Sequence, residues 1–212
     1  MKQAEKTLRK RGEKLFLLTT NNERLPFIAS LQEMTSAGNS VNNRAHGFKG
    51  LSLKHTLDAS DTLILPGMYC QRNVDSENTY LIDNYWPEPN YDNLVYMFLM
   101  RCNCVVDLLR EVIEINPEDE TQIKIKWELY ASNILVNKGT TKRSFRENDN
   151  KLTDASFSYV HIPRSYGVQL FDRMKICDKL YRIESIDDSL VDDDSKTGVD
   201  IVQIQFMDEE AE

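Results

Sequence analysis

Four cysteines and three histidines are all that 212 residues offer as soft ligands or imidazole bases. Cys70, Cys102, Cys104 and Cys177 are too sparse and too irregularly spaced for a disulfide scaffold in a chain of this length. The Cys102-x-Cys104 pair has no second Cys or His pair at a zinc-like spacing, so buried cysteine acting as a small apolar residue is its plainer reading. His46, His55 and His161 are too scattered to frame a catalytic base or a metal set. The stretches HGFKG and VNKGTTKR lack the spacing with which a phosphate loop surrounds an anion. No Gly-x-Ser-x-Gly elbow occurs, and DDSLVDDDS lacks the glycine and the closing glutamate of a calcium loop. Long apolar runs are missing too: nothing nears the roughly 20 residues a helix needs to cross a bilayer. LFLL, near the N-terminus, is short for a signal-peptide core. These absences lead us to expect a soluble chain with no membrane span, no metal, no cofactor and no catalytic set.

A surplus of positive charge is missing as well. The 26 basic and 34 acidic residues give a net charge of -8, which argues against a protein whose main task is to grip phosphate backbones. The balance is uneven, with a basic N-terminal stretch and an acidic C-terminal segment. Within that segment Asp192, Asp193 and Asp194 read either as a solvated edge or as a surface from which DNA is repelled.

What is present is strand patterning. The chain is 41% hydrophobic and 28% charged, ordinary for a globular protein, and long enough for one medium domain or two small lobes. In KLYRIESID, apolar and polar residues largely alternate, as in a half-buried strand. Residues 2–13 favour a short helix stopped near Gly12, and residues 15–20 a strand. Residues 34–61, crowded with Gly, Asn, Ser and Thr, read as a long irregular loop. LILPGMYCQRNVDSENTYLIDNYWPEP and VHIPRSYGVQLFDRMKICDKLYRIESIDD share an order of proline, gap and tyrosine-led strand, which suggests two related β units.

Residues 94–113 are ambiguous: Val95, Phe98, Leu99, Cys102, Val105, Val106 and Leu109 fit a helical stripe, whereas Leu94, Tyr96, Phe98, Met100, Cys102, Cys104, Val106 and Leu108 would share one face of a strand. After the turn-forming NPEDE, TQIKIKWEL alternates cleanly, so a long hairpin explains both halves at once. The expected fold is mainly β: small barrel or sandwich units with long hairpins and a short N-terminal helix. We expect residues 1–61 to form helix, strand and irregular loop, residues 62–212 the barrel-like body, and residues 207–212 an acidic tail.

Two stretches stand out as contact surfaces. YWPEPNYDN offers Tyr85, Trp86 and Tyr91, either as an exposed aromatic surface or as rings packed inward at a rigid turn. SNILVNKGTTKRSFRENDNK reads as a projecting loop whose Lys138, Lys142 and Arg143 are either solvated or an assembly contact.

The order VHIPRS, FDRMKICDKLYRIESID and TGVDIVQIQFMDEE, with LMRCNCVV upstream, resembles the head-closure or head-to-tail connector proteins of tailed-phage necks. The resemblance falls on Arg101, Cys102, Asn103, Pro163, Asp172, Arg173, Tyr181, Asp187 and Gly198, and spans roughly residues 62–210. It implies a virion protein without catalysis, assembled in the host cytoplasm. Its copies would form a ring that meets a portal or adaptor ring and tail proteins, and lets genomic DNA pass without binding it. The residues alone also admit a small β-barrel nucleic-acid-binding module, with exposed aromatics stacking on bases, or an enzyme whose site has no sequence signature.

Overall fold

The computed structural model describes residues 3–21, 23–34, 47–57, 62–115, 123–146, 152–187 and 197–207. The fold is mainly β, with one short N-terminal helix, α1 (Gln3–Arg11), ahead of the strands. Its residues are strong helix formers, and Glu5 pairs with Arg9 one turn on at 3.1 Å. Gly12 follows it, its N–H still bonded to the Leu8 carbonyl at 2.7 Å, and only glycine fits there, since a Cβ would stand 2.6 Å from the Leu8 carbonyl oxygen and 2.4 Å from the Ile28 side chain.

Twelve strands follow among the described residues, in two closed barrels. The first contains β1 (Glu13–Leu18), β2 (Arg24–Glu33), β3 (Gly47–Leu53), β4 (Tyr69–Arg72), β5 (Asp75–Pro87) and β6 (Leu94–Arg101). The second contains β7 (Cys104–Ile115), β8 (Ile123–Arg146), β9 (Leu152–Pro163), β10 (Arg173–Ile176), β11 (Lys179–Asp187) and β12 (Val199–Phe206). The strands of the first run around the barrel as β1-β2-β3-β6-β5-β4, and those of the second as β7-β8-β9-β12-β11-β10. The same strand order is used twice. The two look-alike segments of the sequence hold β4–β5 and β10–β11, which occupy matching places in the two barrels.

This arrangement moves the expected boundary. A division between residues 61 and 62 would cut the first barrel, because β1 pairs with β4 and β3 with β6; the chain passes between barrels at Cys102 and Asn103. The expected irregular loop over 34–61 contains β3, whose ladder with β6 runs from Gly47 to Leu53. Residues 94–113 are strand apart from the break at Cys102 and Asn103, and β7 pairs with β8 as the long hairpin required. The face expected on β6 is out of phase: Met97 and Leu99 join the barrel core while Tyr96 is exposed. The expected projecting loop at 132–151 is strand as far as Arg146, laddered to β9.

Leu15, Leu17, Phe27, Ala29, Ile82, Met97 and Leu99 fill the first barrel. Val106, Leu108, Ile134, Val136, Val160, Ile162, Met174, Ile183 and Val202 fill the second. Each of the larger aliphatic side chains contributes roughly 1.5–3 kcal/mol by leaving water. Leu8 of α1 packs on Leu53 and Leu94 in a separate small cluster. In β11 a bulge between Ile183 and Ser185 breaks the alternation of KLYRIESID.

A bidentate Arg–carboxylate pair locks the closing seam of each barrel. Arg72 of β4 donates to both Glu13 oxygens at 2.8 Å. Arg110 of β7 donates from Nε and Nη2 to Asp172, just before β10, at 3.0 and 2.7 Å. The two barrels meet through backbone: Gly198 N–H donates to the Pro66 carbonyl at 3.1 Å, and a Cβ on Gly67 would stand 2.4 Å from the Gly198 oxygen. Both glycines have positive φ, 86° and 140°, so they permit both the backbone turn and the close approach. Around this clasp Tyr69 Oη donates to the Leu135 carbonyl at 2.6 Å and Asn137 Nδ2 to the Arg101 carbonyl at 2.7 Å. The β5 bulge turns Asp83 toward His161 of β9, 2.9 Å away.

Candidate assembly surfaces

The three aromatic residues marked in YWPEPNYDN go to three different places. Tyr85 packs on the core of the first barrel, Tyr91 on the α1 cluster, and Trp86 stays on the outside, 44% exposed. The β5 bulge between Ile82 and Asn84 causes the split: the extra residue reverses the phase, so Tyr85 rather than Trp86 follows Ile82 inward. On the outer face Trp86 meets Tyr96 and Phe98 of β6, with ring centroids 5.9 and 5.2 Å apart. Together with Leu31 and Lys49 these rings line a shallow groove of about 390 Å³. Lys49 is exposed and makes no ion pair among the described residues. At the rim, the Tyr96 hydroxyl hydrogen-bonds Glu88, which lowers the glutamate pKa and raises the tyrosine's.

The second surface is an arm. Partner strand β10 reaches β7 only over Val106–Leu109, and β9 reaches β8 only from Asn137 onward. Beyond those points β7 and β8 pair only with each other among the described residues, as a two-stranded ribbon. Its root carries two register shifts and Asn133 at φ 57°, with Asn133 N–H held by Asp107 at 2.9 Å. Such irregularities re-aim a hairpin out of its barrel. Across the ribbon Leu109 faces Leu129, Glu111 faces Trp127 and Ile113 faces Ile125, so these six share one face. The opposite face carries Arg110, Glu128 and Lys126. Ile113, Ile125 and Leu129 are 59%, 58% and 61% exposed, and Arg173 lies 3.9 Å above the Trp127 ring. Nearby, the turn that presents Asp172 exposes Leu170 and Phe171.

The alternation of TQIKIKWEL is present, but its apolar face meets water instead of a core. Sequence reasoning missed this surface because period two reports that a face is apolar, not what covers it. The available signal was REVIEI mirrored by IKIKWEL, two alternating runs that can satisfy each other as a hairpin without a third strand.

The remaining predicted contacts sit elsewhere. Lys138 does not project: the Asn103 side chain brackets its backbone at 2.7 and 2.8 Å, and its Nζ lies 3.2 Å from the Tyr181 hydroxyl and 4.5 Å from the ring centre. Lys142 and Arg143 continue β8 opposite Ser156 and Ala155, and their side chains lie outside the description. Asp192, Asp193 and Asp194 lie outside the described residues. Asp172 and Arg173, adjacent in sequence, point to separate tasks, one at the barrel seam and one on Trp127.

Cys102 and Cys104 line a cleft of about 320 Å³ at the passage between the barrels. Burial pushes the Cys102 thiol up to about 12 and raises that of Cys104, so at neutral pH both are protonated and poor nucleophiles. Among the described residues no group of three His, Cys, Asp or Glu side chains is placed to hold a metal. Comparison of the chain with protein-family models, with curated proteins and with solved structures gave no match in any of the three.

Proposed function

We propose that this protein is a structural subunit of a tailed-phage neck, a head-closure or head-to-tail connector whose copies form a ring between the portal or adaptor and the tail. The observation that carries the reading is where the apolar surplus lies. Two clasped barrels of one strand order display it outside, as an arm and an aromatic groove, rather than around converging polar groups. Large exposed apolar surfaces of that kind mark interaction sites. The motif residues support the same reading by falling at joints of the second barrel: Pro163 ends β9, Asp172 locks the seam, and Gly198 leads into β12. A net charge of -8 suits a channel wall over which DNA slides without sticking. Under this reading the protein catalyses nothing, needs no cofactor, and resides in the virion neck after assembly in the host cytoplasm.

The test is negative-stain electron microscopy of a lysate in which the gene is deleted from its parent genome. Filled or leaking heads apart from free tails are the expected result. Normal infectious particles would refute the assignment.

One observation favours a second reading, binding of single-stranded nucleic acid: Trp86, Tyr96 and Phe98 stand beside Lys49 on an open face, a stacking platform in outline. Anisotropy of labelled single-stranded DNA decides it. Salt-dependent binding that Trp86→Ala abolishes would establish that reading over the first.

A further inference from the structure

We infer that copies of this chain associate head to tail, the β7–β8 arm of one lying across the Trp86–Tyr96–Phe98 groove of the next. One surface projects and the other is recessed, and both are apolar. One is a ribbon standing clear of its barrel with Ile113, Ile125 and Leu129 more than half exposed; the other is a concave aromatic face with Trp86 and Tyr96 at 44% and 38%. The charges on the arm's apolar face are Glu111, exposed and without an ion-pair partner among the described residues, and Arg173, which stacks on Trp127. The charge lining the groove is Lys49, exposed and likewise without an ion-pair partner among the described residues, with Glu88 at the rim on the Tyr96 hydroxyl. Docking the arm in the groove brings Glu111 and Lys49 together.

The alternative contact between copies, arm face against arm face, is symmetric and leaves the aromatic groove with Lys49 uncovered. Arm and groove belong to different barrels, so one copy offers both halves of the contact at separate places. A contact of this heterologous kind propagates, closing into a ring if the rotation permits and into a filament otherwise. It supplies the subunit contact that the ring proposed above needs, but its evidence is the two surfaces and not the neck reading.

The experiment uses the full chain in sedimentation velocity over a concentration series, with circular dichroism to verify folding. Ile113→Asp removes the arm and Trp86→Ala the groove; both side chains are exposed, so the barrels keep their cores. Wild type is expected to form species larger than a dimer and each variant to remain monomeric. An equimolar mixture of the two has one sound arm and one sound groove, and is expected to stop at a one-to-one heterodimer. Glu111→Lys and Lys49→Glu are each expected to weaken assembly at least tenfold, and to restore it when combined in one chain.

A monomeric wild type, variants that still assemble, or a mixture that stays monomeric would each overturn the inference. None of these bears on the deletion phenotype, so the contact and the neck reading can fail separately.

Discussion

Replacing Arg110 by Met tests whether the second barrel depends on its seam lock. The Asp172 carboxylate is nearly buried, its side chain 5% exposed, and it accepts two bonds from Arg110 at 3.0 and 2.7 Å and one from the Gln169 N–H at 2.8 Å. Arg110→Met gives up the guanidinium's stacking on the Tyr130 ring, 4.2 Å away, and its solvent-exposed bond to the Gly167 carbonyl, and leaves the carboxylate with the backbone donor alone. Removing one partner of a buried pair costs about 3–5 kcal/mol. The Arg110 side chain is 24% exposed, so water reaches the vacated space and the cost falls to the low end, about 3 kcal/mol. For a barrel of this size that lowers Tm by roughly 12–24 °C. Adding Asp172→Leu removes the stranded charge, leaving chiefly the Gln169 N–H unpaired at a cost of about 1–3 kcal/mol. The double variant should therefore be no less stable than Arg110→Met alone, far from the sum of two losses. The chain has two tryptophans, one in each barrel. In a Trp86→Phe background the fluorescence of Trp127 reports the second barrel during urea unfolding, with m checked for constancy. A loss below about 1 kcal/mol for Arg110→Met, or additive losses in the double variant, would refute the lock as the reason this pair matters.

Gly67→Ala should cost about 2–4 kcal/mol, because alanine resists φ 86° and its Cβ would meet the Gly198 oxygen at 2.4 Å. Thermal scans followed separately through Trp86 and Trp127 should then part, and unchanged coincident scans would argue that the glycine clasp does not couple the barrels. Leu108→Ala, at a fully buried site in the second core, should cost about 2–5 kcal/mol; the Trp127 transition should shift more than that of Trp86, and equal shifts would show a single cooperative unit. Alkali should destabilise the fold. Burial raises the thiols of Cys70 and Cys102 and the hydroxyl of Tyr69, and burial followed by the Asp75 hydrogen bond raises that of Tyr80, with Cys102 and Tyr80 reaching about 12. The unfolded chain releases these protons first, so their stabilisation is full below about pH 9 and is lost as pH rises toward 12. The urea midpoint should fall over that window and less steeply for Cys102→Ser; a flat profile would contradict the raised ionisations.

Some of this was legible in the residues. Period-two patterning in IKIKWEL and KLYRIESID specified strands because side chains alternate faces whatever the surroundings, and the expected pairing of the two runs flanking NPEDE is the β7–β8 ladder. The likeness of two proline-gap-tyrosine segments marked matching corners of two barrels. The extent of each barrel was not legible, since the pairings of β1 with β4 and β3 with β6 are long-range and leave no local mark. β3 itself was hidden by Gly47 and Gly50 within a polar run. Single-residue bulges decided the rest: the one in β5 sends Tyr85 inward and leaves Trp86 outside, and no periodicity foretells an inserted residue that the ladder absorbs.

The sequence by itself therefore determined that this is a β protein with a short leading helix, a repeated corner and a long hairpin, because local sterics and alternation act within a few residues. Only the tertiary structure decided that the chain closes twice in one strand order, that Asp172 pairs with Arg110 rather than with neighbouring Arg173, and that the apolar face of the hairpin meets water. Those outcomes depend on which strand runs out first, β10 and β9 stopping short while β7 and β8 continue. A property of strand ends relative to one another exists only once the barrel has closed.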